Sequence, residues 1–125
     1  MKKFVFLILV IVLLASYMWI SNLIQREIAS VVYDDINMDL VANGTYIGET
    51  KVGPVFVKLE VTVQDKVINN IEIIEHQKGL GGKAESIIEE IIAKNSYDVE
   101  AISGATVSSE AIKSAVNKAL KRARQ

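Results

Sequence analysis

The stretch that decides the fold is VFVKLEVTVQDKVINNIEIIE, residues 55–75. Val55, Val57, Leu59, Val61 and Val63 recur at every second position, with Lys58, Glu60 and Thr62 between them. Successive side chains of a strand point to opposite faces, so this run has one buried and one wetted face. Gln64-Asp65-Lys66 makes a tight reversal, and the return run from Val67 to Glu75 sets Val67, Ile71 and Ile73 on one side. The spacing predicts an antiparallel hairpin. Upstream, Asn43-Gly44 marks a turn, and Thr45 to Thr50 reads as a short strand broken by Gly48. Asn43-Gly44-Thr45 also has the form of a glycosylation sequon, a three-residue pattern of little weight.

Beyond the hairpin the period changes. Glycines at 79, 81 and 82 lead into Ala84, Ile87, Ile88, Ile91 and Ile92, with Glu85, Glu89 and Glu90 between them. Steps of three and four residues predict an amphipathic helix that faces the sheet. Asn95-Ser96 stops it, Asp98 to Ile102 reads as a short strand, and Ser103-Gly104-Ala105-Thr106 opens a second helix. The inner stripe of that helix is Val107, Ala111, Ile112, Ala115, Val116, Ala119, Leu120 and Ala123. So many alanines imply a close approach of helix to sheet. Lys118, Lys121, Arg122 and Arg124 suit its negative C-terminal end.

The N-terminal part is of another kind. After Met1-Lys2-Lys3, the 22 residues Phe4 to Gln25 carry no charge. As a helix, Phe4 to Ile24 spans roughly 30 Å, the thickness of a hydrocarbon core. Tyr17-Met18-Trp19-Ile20 stands where a signal peptidase would need small residues, so the expectation is an uncleaved anchor. Lys2 and Lys3 suit the cytoplasmic side, and Tyr17 and Trp19 suit the far interface. Ile28, Val31, Val32 and Ile36 then recur at mostly helical spacing and predict a helix leaving the membrane over residues 25–39, either a rigid stalk or a helix packed on the domain. The chain thus reads as an anchor over 1–25, a juxtamembrane helix or stalk over 26–42, and a domain over 43–125. Its class is α+β: a transmembrane helix followed by a small antiparallel sheet with two packed helices.

Composition narrows the chemistry. The chain has 125 residues, no cysteine and one histidine, His76, which excludes c-type haem attachment, iron–sulfur clusters, cysteine zinc sites and disulfides. Redox chemistry here requires an organic cofactor. Arg26 to Gln125 has 12 basic and 15 acidic side chains, and so no basic footprint for nucleic acid. No nicotinamide fingerprint is present. Two glycine-containing loops each precede a helix, and a helix start is suited to an anion. In Ser103-Gly104-Ala105-Thr106-Val107-Ser108-Ser109 four hydroxyls crowd the helix start, which fits either a phosphate or plain N-capping by Ser and Thr.

Glu100-Ala101-Ile102-Ser103-Gly104-Ala105-Thr106 resembles the flavinylation motif of the FMN-binding domain family, an acidic residue, two variable positions and Ser/Thr-Gly-Ala-Thr. That family includes the flavin subunits of the sodium-translocating quinone reductase and Rnf complexes. The resemblance extends through Asn43-Gly44-Thr45-Tyr46-Ile47-Gly48, the strand end Ile71 to His76 and the loop Gly79-Leu80-Gly81, over about residues 43 to 122. It implies FMN attached covalently to Thr106 through a phosphoester, placed there from FAD by a flavin transferase. Thr106 would be the acceptor, not a catalyst. Ser103, Gly104 and Ala105 would shape the turn, backbone N–H groups such as that of Val107 would face the phosphate, and Gly79, Leu80 and Gly81 would line the isoalloxazine. Two positions depart from the pattern: Glu100 where most relatives have Asp, and Gln77-Lys78 where many have Thr-Pro.

Side chains around this motif have two readings each. His76 either touches the flavin or is a partly exposed strand-end histidine; a metal role lacks partner ligands. Tyr46, Phe56 and Tyr97 either pack on the ring or serve core and surface. Lys78 and Lys83 suit the anion of the reduced flavin. The function implied is an electron carrier on the outer face of a bacterial cytoplasmic membrane. Its partners would be the transferase, a membrane reductase or quinone-linked donor, and an external acceptor. Alternatives are a noncovalent FMN-binding or sensory module, and a structural envelope protein without flavin.

Overall fold

The period-2 run and its return form the centre of a three-stranded antiparallel sheet. In a computed structural model that describes residues 1–77 and 82–124, the strands are β1 (Gly44–Val52), β2 (Val55–Gln64) and β3 (Val67–Gln77), in the order β1-β2-β3. The inward residues of β2 are all buried, while the residues between them are half-buried. Gly53-Pro54 closes the first hairpin, with Gly53 at φ 55°. Asp65-Lys66 closes the second with φ 53° and 65°, the paired left-handed conformation of a type I′ turn, whose twist matches the strands. Side chains hold that turn from two directions. Asn43 Oδ1 accepts from Asp65 N–H at 2.8 Å, and Asn95 accepts from Ile68 N–H at 2.7 Å while donating to Lys66 O.

β3 departs from simple alternation. Thr62 pairs with Asn70 but Val63 with Ile68, and Lys58 pairs with Glu75 but Leu59 with Ile73, so Asn69 and Ile74 are extra residues in two bulges. Each bulge advances the face by one residue. Ile68, not the expected Val67, therefore faces inward opposite Val63, and Val67 is 48% exposed. Ile71 and Ile73 face inward opposite Val61 and Leu59, as their spacing predicts.

Two helices follow. The glycine-rich run enters a 3₁₀ turn (Gly82–Ser86) that continues as α2 (Ile87–Lys94), with Ala84, Ile87 and Ile91 buried. Asn95 ends α2 in the left-handed conformation, which Asn tolerates well. Residues 98–102, expected as a strand, form none: no sheet edge is paired with them, and Ile102 N–H goes instead to Ser109 Oγ. α3 (Thr106–Ala123) crosses the sheet with Ala111, Ile112, Ala115, Val116, Ala119 and Leu120 fully buried. The alanine stripe meets β1 at Gly48, where a Cβ would lie 1.9 Å from the Ala115 carbonyl oxygen. Gly48 does not break the strand; it is where the helix rests. Thr50 and Ser114 share a hydrogen bond at 3.2 Å in the same interface, and Arg122 donates to Ile47 O.

The chain divides into two compact units, Met1–Ser30 and Val31–Gln125. The first is α1 (Lys2–Ala29), with no buried residue and long and apolar enough to cross a membrane. The predicted helix over 25–39 stops at Ala29. Residues 31–37 have neither helix nor strand, because Val31-Val32 and the Asp34-Asp35 pair are weak helix formers and the backbone finds tertiary partners. Asp34 N–H donates to Asn117 Oδ1, and Asn117 Nδ2 donates to Asp34 O at 2.8 Å. Tyr33 stacks on Tyr97, with ring centroids 5.2 Å apart, and its hydroxyl donates to the Glu110 carboxylate. Val41 bridges Arg124, tying this segment to the end of α3.

Two predictions follow from this packing. Gly48→Ala drives a methyl group into helix backbone and lowers stability by about 2 kcal/mol in urea unfolding. Burial and then the Glu110 carboxylate hold the Tyr33 phenol well above the ordinary tyrosine range. Above about pH 10 the unfolded chain releases this proton while the folded chain keeps it, so the contribution of this group to stability falls as the pH rises. Tyr33→Phe removes that part of the alkaline slope, read from unfolding midpoints as the pH is raised.

Candidate functional site

The hydroxyl-rich segment folds as a turn stapled to its own helix. Gly104 sits at φ +80°, and Ala105 N–H donates to Ile102 O at 2.9 Å. Ser109 is buried, and its Oγ accepts from Ile102 N–H and donates to Ala105 O at 2.7 Å. The N-cap of α3 is Ala105, with no side-chain capping bond. Simple capping by Ser103 or Thr106 is therefore not what these hydroxyls do. The N–H groups of a first turn have no partner within the helix, and no side chain takes that place here. Thr106, the first helical residue, is exposed, and its hydroxyl has no partner among the described residues. Ser103, Gly104 and Glu100 are exposed, Val107 is half-buried and Ala105 is buried.

His76 belongs to the interior side of this turn. Without the bulge at Ile74 its side chain would point outward; with it, His76 lies opposite Val57 on the inner face. Its side chain is 2% exposed, so the expectation of a partly exposed strand-end histidine is corrected. Nδ1 lies 3.1 Å from Glu85 Oε1, and Nε2 lies 3.3 Å from Ser108 Oγ. A carboxylate only accepts, so Nδ1 carries a proton toward Glu85, and Nε2 shares a hydrogen bond with the Ser108 hydroxyl. One imidazole thus links β3, the 3₁₀ turn and the first turn of α3. Three polar partners join the neighbourhood that sequence reasoning left out. Ser108 and Ser109 were visible only as a crowd of hydroxyls, and Glu85, spaced as an outward helix residue, gave no signal.

The 3₁₀ turn brings a second group. Lys83 Nζ lies against Gly104, where a Cβ would come within 2.6 Å of it. Gly104 therefore both supplies a positive φ and leaves space for an ammonium. The aromatic candidates have other occupations. Tyr97 stacks on Tyr33, Tyr46 donates to Ala42 O and Asn43 O, and Phe56 stands on the β2 face away from the helices. Gly79, Leu80, Gly81 and Lys78 lie outside the described residues. No group of three His, Asp or Glu side chains suited to a metal occurs among the described residues.

The family model of the FMN-binding domain matches residues 53–121, more than half of the chain. The chain belongs to the FMN-binding domain family. No curated protein matches it. The match begins at the β1–β2 turn and ends within α3, so it takes in the hairpin, the glycine-rich run, α2 and the Ser103-to-Thr106 turn. The resemblance read over Asn43 to Gly48 lies before it. The residues present fit the phosphate end of FMN: an exposed hydroxyl at an uncapped helix start, and a glycine cradle under an ammonium.

The histidine link carries a prediction. Ser108→Ala leaves Nε2 of a buried imidazole without its partner and lowers stability by about 1–2 kcal/mol. Ser103→Ala removes an exposed, unbonded hydroxyl and stays within about 0.5 kcal/mol of the wild type. Urea unfolding of the two variants side by side measures the difference.

Proposed function

We propose that this protein is a membrane-anchored, extracytoplasmic electron carrier that holds one FMN through a phosphoester on Thr106. The observation that carries this reading is the Thr106 hydroxyl, exposed and without a hydrogen-bond partner among the described residues, on the first residue of α3 inside a Ser-Gly-Ala-Thr turn. A modifying enzyme needs such access, and the helix start favours the negative charge that the phosphodiester retains. Thr106 acts as acceptor. Ser109 and Gly104 hold the turn open, and the His76 link keeps the first turn of α3 in place against the 3₁₀ turn. The bound flavin supplies electron exchange that no side chain of this chain provides.

The anchor reading rests on α1, on Lys2 and Lys3 before it, and on Tyr17 and Trp19 near its far end. With the N-terminus in the cytoplasm, the domain lies outside, where a flavin transferase and an external electron acceptor meet it. A membrane reductase or quinone-linked donor supplies the electrons. A small domain held at the membrane surface suits the brief, small contacts of redox partners.

Co-expression with a flavin transferase tests the attachment. Denaturing gels are expected to show a fluorescent flavin band on the wild type and none on Thr106→Ala. Flavin released by denaturation supports a noncovalent module instead, and no flavin at all supports a structural envelope protein.

A further inference from the structure

Lys83 differs from the lysines of the two domain helices. Lys94, Lys113, Lys118 and Lys121 each reach an oxygen: Asp98 O, Glu110 Oε1, Thr50 Oγ1 and Asp34 Oδ2. Lys83 has no such partner among the described residues, although Glu85 stands two positions away. Glu85 turns instead to His76. An exposed ammonium is ordinarily free to wander, yet this one lies over the backbone of Gly104, two residues before Thr106.

Its place has a structural cause. The 3₁₀ turn Gly82–Ser86 is pinned at both ends of the relevant stretch. Ala84 is fully buried, Ser86 Oγ donates to Lys83 O at 2.9 Å, and Glu85 is bonded to His76, which in turn meets Ser108 on α3. The turn that carries Lys83 is thus registered against the first turn of α3 through buried His76 and Ser108 and part-exposed Glu85. Gly104 completes the arrangement, since any side chain there would occupy the position of the ammonium. A cation without an acidic partner among the described residues, beside an exposed hydroxyl, is suited to an anion that arrives from outside.

We infer that Lys83 recognises the phosphate of FMN, whether free or esterified to Thr106, and makes the site prefer FMN to riboflavin. This inference rests on the reading of the Ser103-to-Thr106 turn as the phosphate end of the flavin site. It moves Lys83 from the ring, where its charge alone would suit a reduced flavin, to the phosphate, where its geometry puts it. A charge-assisted hydrogen bond from an ammonium to a phosphate oxygen gives about tenfold in affinity.

The test is titration of the flavin-free full chain in detergent with FMN and with riboflavin, followed by quenching of flavin fluorescence. The wild type is expected to prefer FMN about tenfold, with the preference shrinking as salt is raised. Lys83→Gln brings the ratio close to one, and Lys83→Arg retains it. Circular dichroism and unfolding midpoints equal to those of the wild type are expected for both variants, since the side chain is exposed. No FMN binding, a wild-type ratio near one, or a preference undiminished in Lys83→Gln overturns the inference. These titrations contain no transferase, so their outcome is separate from the attachment reading, which the loss of transferase-dependent labelling in Thr106→Ala tests. Labelling that persists in Thr106→Ala defeats the Thr106 assignment alone.

Discussion

The domain depends on how closely α3 can lie on β1. Ala115 presents its backbone carbonyl where Gly48 has no side chain, and the flanking Ala111 and Ala119 are fully buried. Removing side chains from both surfaces brings two backbones together and leaves little room for adjustment. A helix held this way has a fixed axial position as well as a fixed face. Its first residue, Thr106, and its last turn, which meets Val41 and Ala42, are placed by the same contact. The Thr106 hydroxyl is thus at the end of a rigid element, although the loop before it is exposed.

The strand bulges do for β3 what the glycine does for β1. A regular β3 would face Val67 into the core and His76 away from it. Two extra residues, Asn69 and Ile74, keep Ile71 and Ile73 inward and turn the strand's end, so that an imidazole takes the place of a fourth apolar side chain. That histidine has partners on two other elements, the 3₁₀ turn and α3. The result is a junction around a buried imidazole that ties the 3₁₀ turn to the start of α3. Burying a polar group costs free energy unless it is hydrogen-bonded, and both ring nitrogens have partners.

Around this junction the domain presents three different surfaces. One is the exposed turn with Thr106 and Lys83. A second is the aromatic and charged cluster of Tyr33, Tyr97, Glu110 and Lys113, where the extended segment 31–37 lies along α3. The third is the polar outer face of the sheet, with Lys58, Glu60 and Thr62. Among the described residues, the first combines a hydroxyl without a hydrogen-bond partner and a cation without an acidic partner. That surface lies within the residues matched by the FMN-binding domain model.

Much of this was legible in the residues themselves. The alternation in β2, the Asp65-Lys66 reversal, the isoleucine spacing of α2 and the alanine stripe of α3 set the α+β class, because period and side-chain size act locally. The Ser-Gly-Ala-Thr string carries the resemblance to the FMN-binding domain family, to which the chain belongs, and the missing cysteines with a lone histidine direct any redox role to an organic cofactor. What only the tertiary structure decided were features that depend on partners far away in the chain. The phase of β3 follows from bulges set by pairing with β2, and the helix predicted over 25–39 gives way to an extended segment because Asn117, 83 residues on, takes its backbone groups. Ser108, Glu85 and Lys83 carry no periodic signal; their roles arise because His76 and Gly104 bring a strand end, a 3₁₀ turn and a helix start to one place. Spacing in sequence records which face a residue takes, but which group meets it there is settled only when the elements pack.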